Sequence, residues 1–327
     1  TIDNPELYFQ VKTWTGTGSS NALTLDGDEN MQPDYVMIKQ RSSTQQWNGY
    51  DSVRGVQKYL GWNTNIAENT QAQGLTAFGS DGFTVGTDDM VNKSSETYVA
   101  FCWKESATAG FDIVSYTGNG SNRTLSHGLS QKPDMIIIKR RNTTGNWTVY
   151  HSTLTVSKYI YLQLTNAADT GGASSYWQTS EPTSSVVSLG TDGDVNGSSD
   201  TYISYFFCNK QGFSKFGKYT GNGNADGAFV YTGFRPAWIV VKRTDSANSW
   251  MIYDNKRNPE NLVDNPLYGE SNEAEGTSSG ASFDFLSNGF KCKGTGSAIN
   301  ASGATMIYMA FAEAPFVNSK GVPCNAR

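Results

Sequence analysis

The sequence predicts an all-β protein, built as three tandem β-sandwich repeats (sandwich or jelly roll) of roughly 100 residues each. Three observations point there: the composition, four landmarks that recur three times in the same order, and short apolar runs with a period of two. The 327 residues are 37% hydrophobic, 13% aromatic and only 17% charged, with 34 glycines. Aromatic and β-branched residues suit a pleated surface, while Gly, Ser, Thr and Asn suit turns. Long helices would need Ala, Leu, Glu and Lys at 3.6-residue spacing, and no segment shows that pattern.

The first landmark opens each repeat: Thr13-Trp14-Thr15-Gly16, Ser115-Tyr116-Thr117-Gly118 and Lys218-Tyr219-Thr220-Gly221, each followed two residues later by Gly18, Gly120 or Gly223. It reads as a strand running into a glycine turn. The second runs from Pro33 to Lys39, Pro133 to Lys139 and Pro236 to Lys242. Proline is tolerated at a strand's first position. A stretch such as Met135-Ile136-Ile137-Ile138 is apolar on both faces, as a central strand covered above and below must be. The third landmark pairs Trp47 with Tyr50, Trp147 with Tyr150 and Trp250 with Tyr253.

The fourth landmark closes each repeat. Val91-Asn92, Val195-Asn196 and Ile299-Asn300 precede apolar runs through Trp103, Phe207 and Phe311, and the three asparagines are evenly spaced. Val99, Phe101 and Trp103 share one strand face, as do Ile203, Tyr205, Phe207 and Ile307, Met309, Phe311; that face is assigned to the core of its own repeat. Loops such as 78–86 supply hairpin turns. The repeats span 8–106, 110–210 and 213–314, followed by a C-terminal tail, 315–327. Junctions 107–110 and 211–212 are too short for free movement. The expectation is a stiff row of domains with three separate interiors.

Chemistry is sparse. Net charge is −5 with scattered basic residues, so the basic stripe that nucleic acid requires is missing and no nucleic-acid partner is expected. No apolar run approaches membrane-spanning length, so no membrane insertion is expected. The chain opens at Thr1 without a secretory signal, as a processed product or a piece of a longer protein would. Cys102, Cys208, Cys292 and Cys324 form no CxxC pair and predict no disulfide framework; Cys102 reads as a small apolar residue.

His151 stands where the sister repeats have Asp51 and Asp254 and reads as structural or surface; His127 reads as a turn residue. Paired carboxylates can hydrolyse glycans, but the clusters Asp26, Asp28, Glu29 and Asp88, Asp89 lie in polar loops and read as solvated loop charge. Asp192-Gly193-Asp194-Val195-Asn196-Gly197 imitates the first half of a calcium loop. Ile203 stands where the bidentate Glu belongs and Met90 replaces Asp194 in the first repeat, so an Asx-rich turn is the better reading. No catalytic residue, metal ligand or cofactor is predicted. Stacking of flat rings on sugar faces leaves Trp62, Tyr176 and Trp177, in polar and unrepeated contexts, as glycan- or partner-binding candidates. For Trp62 and Trp177 burial against a neighbouring unit or subunit is the favoured reading. Trp47, Trp147 and Trp250 read as packing residues.

Taken together, Tyr116-Thr117-Gly118-Asn119-Gly120, the Pro-Asp-x-apolar-Lys runs, Ser80-Asp81-Gly82-Phe83-Thr84-Val85-Gly86 and the run Thr97 to Lys104 resemble a known family. It is the repeat domain of uncharacterised function found in tail-fibre and other structural proteins of bacteriophages, especially marine ones. The stretch Ala310 to Pro315 and the terminal Asn325-Ala326-Arg327 are also similar to it. The resemblance covers nearly the whole chain, most specifically in the first repeat and more loosely in the third, where Ala237 replaces Asp. It implies an extracellular, lectin-like β-sandwich on a virion, with fibre, receptor-binding or capsid-decorating roles, and transfers no catalytic residue.

The expected function is therefore that of a non-enzymatic virion structural protein, a tail fibre or surface decoration. It would assemble with itself as a homo-oligomer (a trimer among the options) and with other virion proteins, and attach to host-surface glycan. A glycan-binding module with weak multivalent contacts is the alternative. A polysaccharide-degrading enzyme ranks third, because no repeat concentrates acids or histidines.

Overall fold

Short β-branched runs between a proline and a lysine are too brief for helices and too apolar for loops. In the computed structural model, which describes residues 1–323, they form the strands Tyr35–Gln40, Met135–Arg140 and Phe234–Arg243. The third starts two residues before its proline and passes Pro236 through a bulge, which relieves the missing N–H. Cys324 and the terminal Asn325-Ala326-Arg327 lie outside the described residues.

The protein is all-β, with antiparallel sheets. In each third of the chain an opening strand (Phe9–Thr15, Phe111–Thr117, Ser214–Thr220) pairs with a closing strand (Thr97–Trp103, Thr201–Phe207, Thr305–Pro315). The closing strand pairs with the Pro-to-Lys strand, and that strand with Asn48–Asp51, Trp147–His151 or Trp250–Asp254. A smaller sheet covers one face of each main sheet. It contains Asn21–Thr24 and Gly82–Val85 in the first third, Arg123–Ser126 and Val186–Leu189 in the second, and Phe229–Tyr231 and Gly289–Cys292 in the third. Among the described residues no helix is long and apolar enough to cross a membrane.

The recurring asparagine ends a single helical turn (Asp89–Asn92, Gly193–Asn196, Ser297–Asn300) and is fully buried. Its side chain ties three loops together. Asn196 Oδ1 accepts from the Asn119 N–H (3.0 Å), and its Nδ2 donates to the carbonyls of Ser121 (2.7 Å) and Gly190 (2.8 Å). Asn92 and Asn300 make the equivalent bonds. Asn196→Leu strands the buried Gly190 carbonyl and frees the Asn119 and Ser121 loops. It is expected to lower unfolding stability by about 2–4 kcal/mol in urea denaturation; a loss below about 0.5 kcal/mol would contradict the pinning role.

Each small sheet closes a local core with one face of its main sheet, as Tyr98, Ala100 and Cys102 do with Phe83 and Val85. The opposite faces of the main sheets all meet. Val99, Phe101 and Trp103 lie in one core with Ile203, Tyr205, Phe207, Ile307, Met309 and Phe311. The rings of Trp103, Phe207 and Phe311 form a triangle, with centroids 6.5, 6.1 and 5.8 Å apart. The row of three separate interiors expected from the sequence is therefore corrected. A sheet apolar on both faces needs two covers, and the second cover of each main sheet is the other two.

The arrangement closes on itself. The indole N–H of Trp147 donates to Gly61 O (2.9 Å), that of Trp250 to Tyr161 O (3.0 Å), and that of Trp47, in the first third, back to Tyr268 O in the last (2.9 Å). Backbone bonds follow the same circuit: Glu68 N–H to Arg141 O, Ala168 N–H to Thr244 O and Glu275 N–H to Arg41 O. The described part of the tail returns to the chain start, where Asp3 accepts from the Ser319 N–H (2.7 Å) and hydroxyl.

Candidate functional site

Of the residues singled out for glycan contact, none presents its ring to solvent. Trp62 is 4% exposed in the shared core and donates its indole N–H to the Tyr35 hydroxyl (2.5 Å). Tyr176 and Trp177 belong to the short helix Ala173–Trp177 and are likewise buried. Tyr176 stacks on Tyr159 at 4.1 Å, and Trp177 packs edge-on to Tyr150 at 5.8 Å. Burying a large apolar side chain is worth about 1.5–3 kcal/mol, and here that burial took precedence over display. The glycan reading of Trp62, Tyr176 and Trp177 is corrected to packing.

The acidic clusters are split between internal pairing and solvent. Asp26 pairs with Lys12 (2.5 Å), while Asp28, Glu29 and Asp89 are exposed. Asp88 and Asp192 cap their helical turns by accepting from the backbone N–H groups of Met90 and Asp194, both at 2.8 Å. Asp194 accepts from the backbone and side-chain nitrogens of Asn146. Among the described residues no three metal-ligating side chains converge. Cys102, Cys208 and Cys292 are buried free thiols. His127 packs on Phe206 at 5.1 Å, and burial lowers its pKa.

Buried polar chemistry concentrates instead at the three junctions. At the first–second junction Arg54, paired with Asp51, also reaches Glu68 (3.3 Å), which binds Arg141 across the boundary (2.9 Å). Asp51 accepts there from the Tyr205 hydroxyl (2.7 Å). At the third–first junction Arg257, Asp254, Glu275 and Arg41 repeat the chain, with Glu275 at 3.1 Å from Arg257 and 2.7 Å from Arg41. Desolvation works against both buried arginines, but Asp51 and Glu68, or Asp254 and Glu275, outweigh it and raise their pKa values. At the second–third junction all four positions change together: Leu154 replaces the first arginine, His151 the aspartate, Ala168 the glutamate and Thr244 the second arginine. At these four positions charge is either fully paired or replaced, as burial demands.

Of these four positions at the second–third junction, only His151 carries a titratable group. It sits among Met135, Val240, Trp250 and Met309, donates from Nε2 to Tyr308 O (3.3 Å), and burial holds its pKa down at about 4. A histidine kept neutral in the fold and titrating normally once unfolded contributes stability above about pH 6.5. That contribution is lost as pH falls toward 4, up to about 3 kcal/mol. The melting temperature is therefore expected to fall over this window, with a shallower slope in His151→Gln. Equal slopes in the two proteins would refute the assignment. The landmark lysines are also buried, and desolvation lowers Lys39 and Lys242 to about 8 and Lys139 to about 7. Lys139 and Lys242 cross junctions to the carbonyls of Asn65 (3.3 Å) and Thr165 (2.8 Å).

One surface feature stands open. On the outer sheet of the last third, Phe229 and Tyr231 point outward from one strand, 48% and 59% exposed. Beside Tyr231 lies a cleft of about 460 Å³ where junction 211–212 meets Phe316 and Val317. Sequence reasoning passed over these rings, although their register partners in the other thirds are small: Ala22 and Thr24, then Thr124 and Ser126.

No curated protein matches this chain. The model of a family described as a domain of unknown function matches residues 4–315, nearly the whole described chain. The chain belongs to that family, the domain of unknown function DUF7483.

Proposed function

We propose that this chain is a non-enzymatic structural building block of a bacteriophage virion, a tail fibre or surface decoration at the particle exterior. In this reading three copies of one β-sandwich unit are fused, and the chain associates with further copies of itself and with other virion proteins to carry host attachment. The observation that carries it is the shared core. Equivalent large side chains from all three thirds fill one interior, and the polar side chains that could do chemistry are committed to holding the thirds together. Such a frame resists deformation and offers loops at its periphery. The resemblance of its landmarks to phage fibre repeats supports the location.

Negative-stain imaging with mass measurement tests the reading. Rods or a defined oligomer are expected, together with no release of reducing sugar from host polysaccharides. A strictly monomeric particle at high concentration, or clear glycan turnover, would overturn it.

A further inference from the structure

The exposed Tyr231 has no packing role that explains it. The sheets of the other two thirds close with Thr24 and Ser126 at the same register position, so the fold does not require an aromatic there. Val230, between the two rings, faces inward and fills the core slot that Leu23 and Leu125 fill elsewhere. The outward rings are thus additions specific to the last third. Gly289, paired across the strands with Tyr231, bears no side chain, because a Cβ there would press on the Val230 carbonyl. Tyr231 therefore has no cross-strand side chain beside it, whereas Phe229 faces Lys291.

The adjoining cleft is polar and cationic. Its lining includes Asn209, Gln211, Lys210 and Lys215, with no carboxylate, on a chain whose net charge is −5. Lys210 is anchored to Gln131 (3.2 Å), whereas the Lys215 ammonium has no hydrogen-bond or ion-pair partner among the described residues. A volume near 460 Å³ falls within the range of small-ligand sites, roughly 300–1,000 Å³. A flat ring for C–H stacking, amides for hydroxyl groups and an unpaired ammonium together fit one chemical class.

We infer that Tyr231, supported by Phe229 and Lys215, forms a binding site for an acidic sugar: an oligosaccharide carrying carboxylates, its pyranose face on Tyr231 and a carboxylate at Lys215. The site gives the attachment role proposed above a ligand class. Its failure would leave the building-block reading standing, since that rests on particle shape and mass.

The test is calorimetric or saturation-transfer NMR titration of the intact chain with tetragalacturonate, with neutral cellotetraose and with a short polyglutamate as controls. Tetragalacturonate is expected to bind at least tenfold more tightly than either control. Tyr231→Ala is expected to weaken it at least tenfold. Lys215→Gln should weaken it severalfold and flatten its salt dependence, with both variants melting within about 2 °C of the parent because Tyr231 is exposed and the half-buried Lys215 makes no side-chain hydrogen bond or ion pair among the described residues. The inference is overturned if tetragalacturonate fails to bind at about 10 mM. It is overturned equally if Tyr231→Ala binds as well as the parent, or if polyglutamate binds as tightly as the sugar.

Discussion

Trp103→Ala is expected to destabilise the whole chain, by about 3–5 kcal/mol, in a single cooperative transition. The indole touches rings from every third: Phe9 and Tyr35 in its own, Phe207 in the second, Trp238 and Phe311 in the last. Truncation leaves a cavity that none of the three main sheets can collapse into without moving the others. Melting should drop by on the order of 10 °C, monitored by circular dichroism. Loss of only part of the signal at reduced temperature, with the remainder melting as in the parent, would show that the interiors are independent.

Arg257→Leu is the second large effect, a loss of about 3–5 kcal/mol, because it leaves the Asp254 carboxylate buried without its partner. The second third shows how the loss is avoided, since His151 and Leu154 occupy the corresponding positions together. The double substitution Asp254→His with Arg257→Leu is therefore expected to recover at least half of the single variant's loss, with a coupling energy of about 1–3 kcal/mol. Urea unfolding of the two single variants, the double variant and the parent completes the cycle. Additive losses would deny that these positions act as a unit.

Strand identity and turn chemistry were legible in the residues. Pro-to-Lys runs, glycine turns and the asparagine that binds them all announce local structure, and local structure depends on neighbours in sequence. The shared core was not legible for a physical reason. Alternation in Tyr98 to Trp103 reports that Val99, Phe101 and Trp103 are buried, but a buried face looks the same whether its cover comes from its own third or another. Counting faces would have exposed it. Three main sheets apolar on both sides present six faces, and three small sheets cover only half of them.

Trp62 has polar neighbours in sequence yet packs against Trp147 of the second third, the burial against a neighbouring unit that its sequence context favours. Asn63, next to it, serves the interior by accepting from the Trp47 N–H (3.0 Å). His151 looked like a free replacement of aspartate; its meaning appears only beside Leu154, Ala168 and Thr244, positions far apart in sequence that meet at one boundary. Tyr231 was within reach of the sequence, because Ala22, Thr24, Thr124 and Ser126 mark its register as a surface position where an aromatic is unneeded.

The central claim is that the three thirds wrap one interior and close on themselves, and small-angle X-ray scattering of the chain, diluted until its mass is that of a single copy, tests it most directly. A closed body of this length should have a radius of gyration of about 20 Å. Three domains in a row, each about 13 Å in radius of gyration and spaced about 30 Å apart, would give about 28 Å instead, and that value would contradict the account.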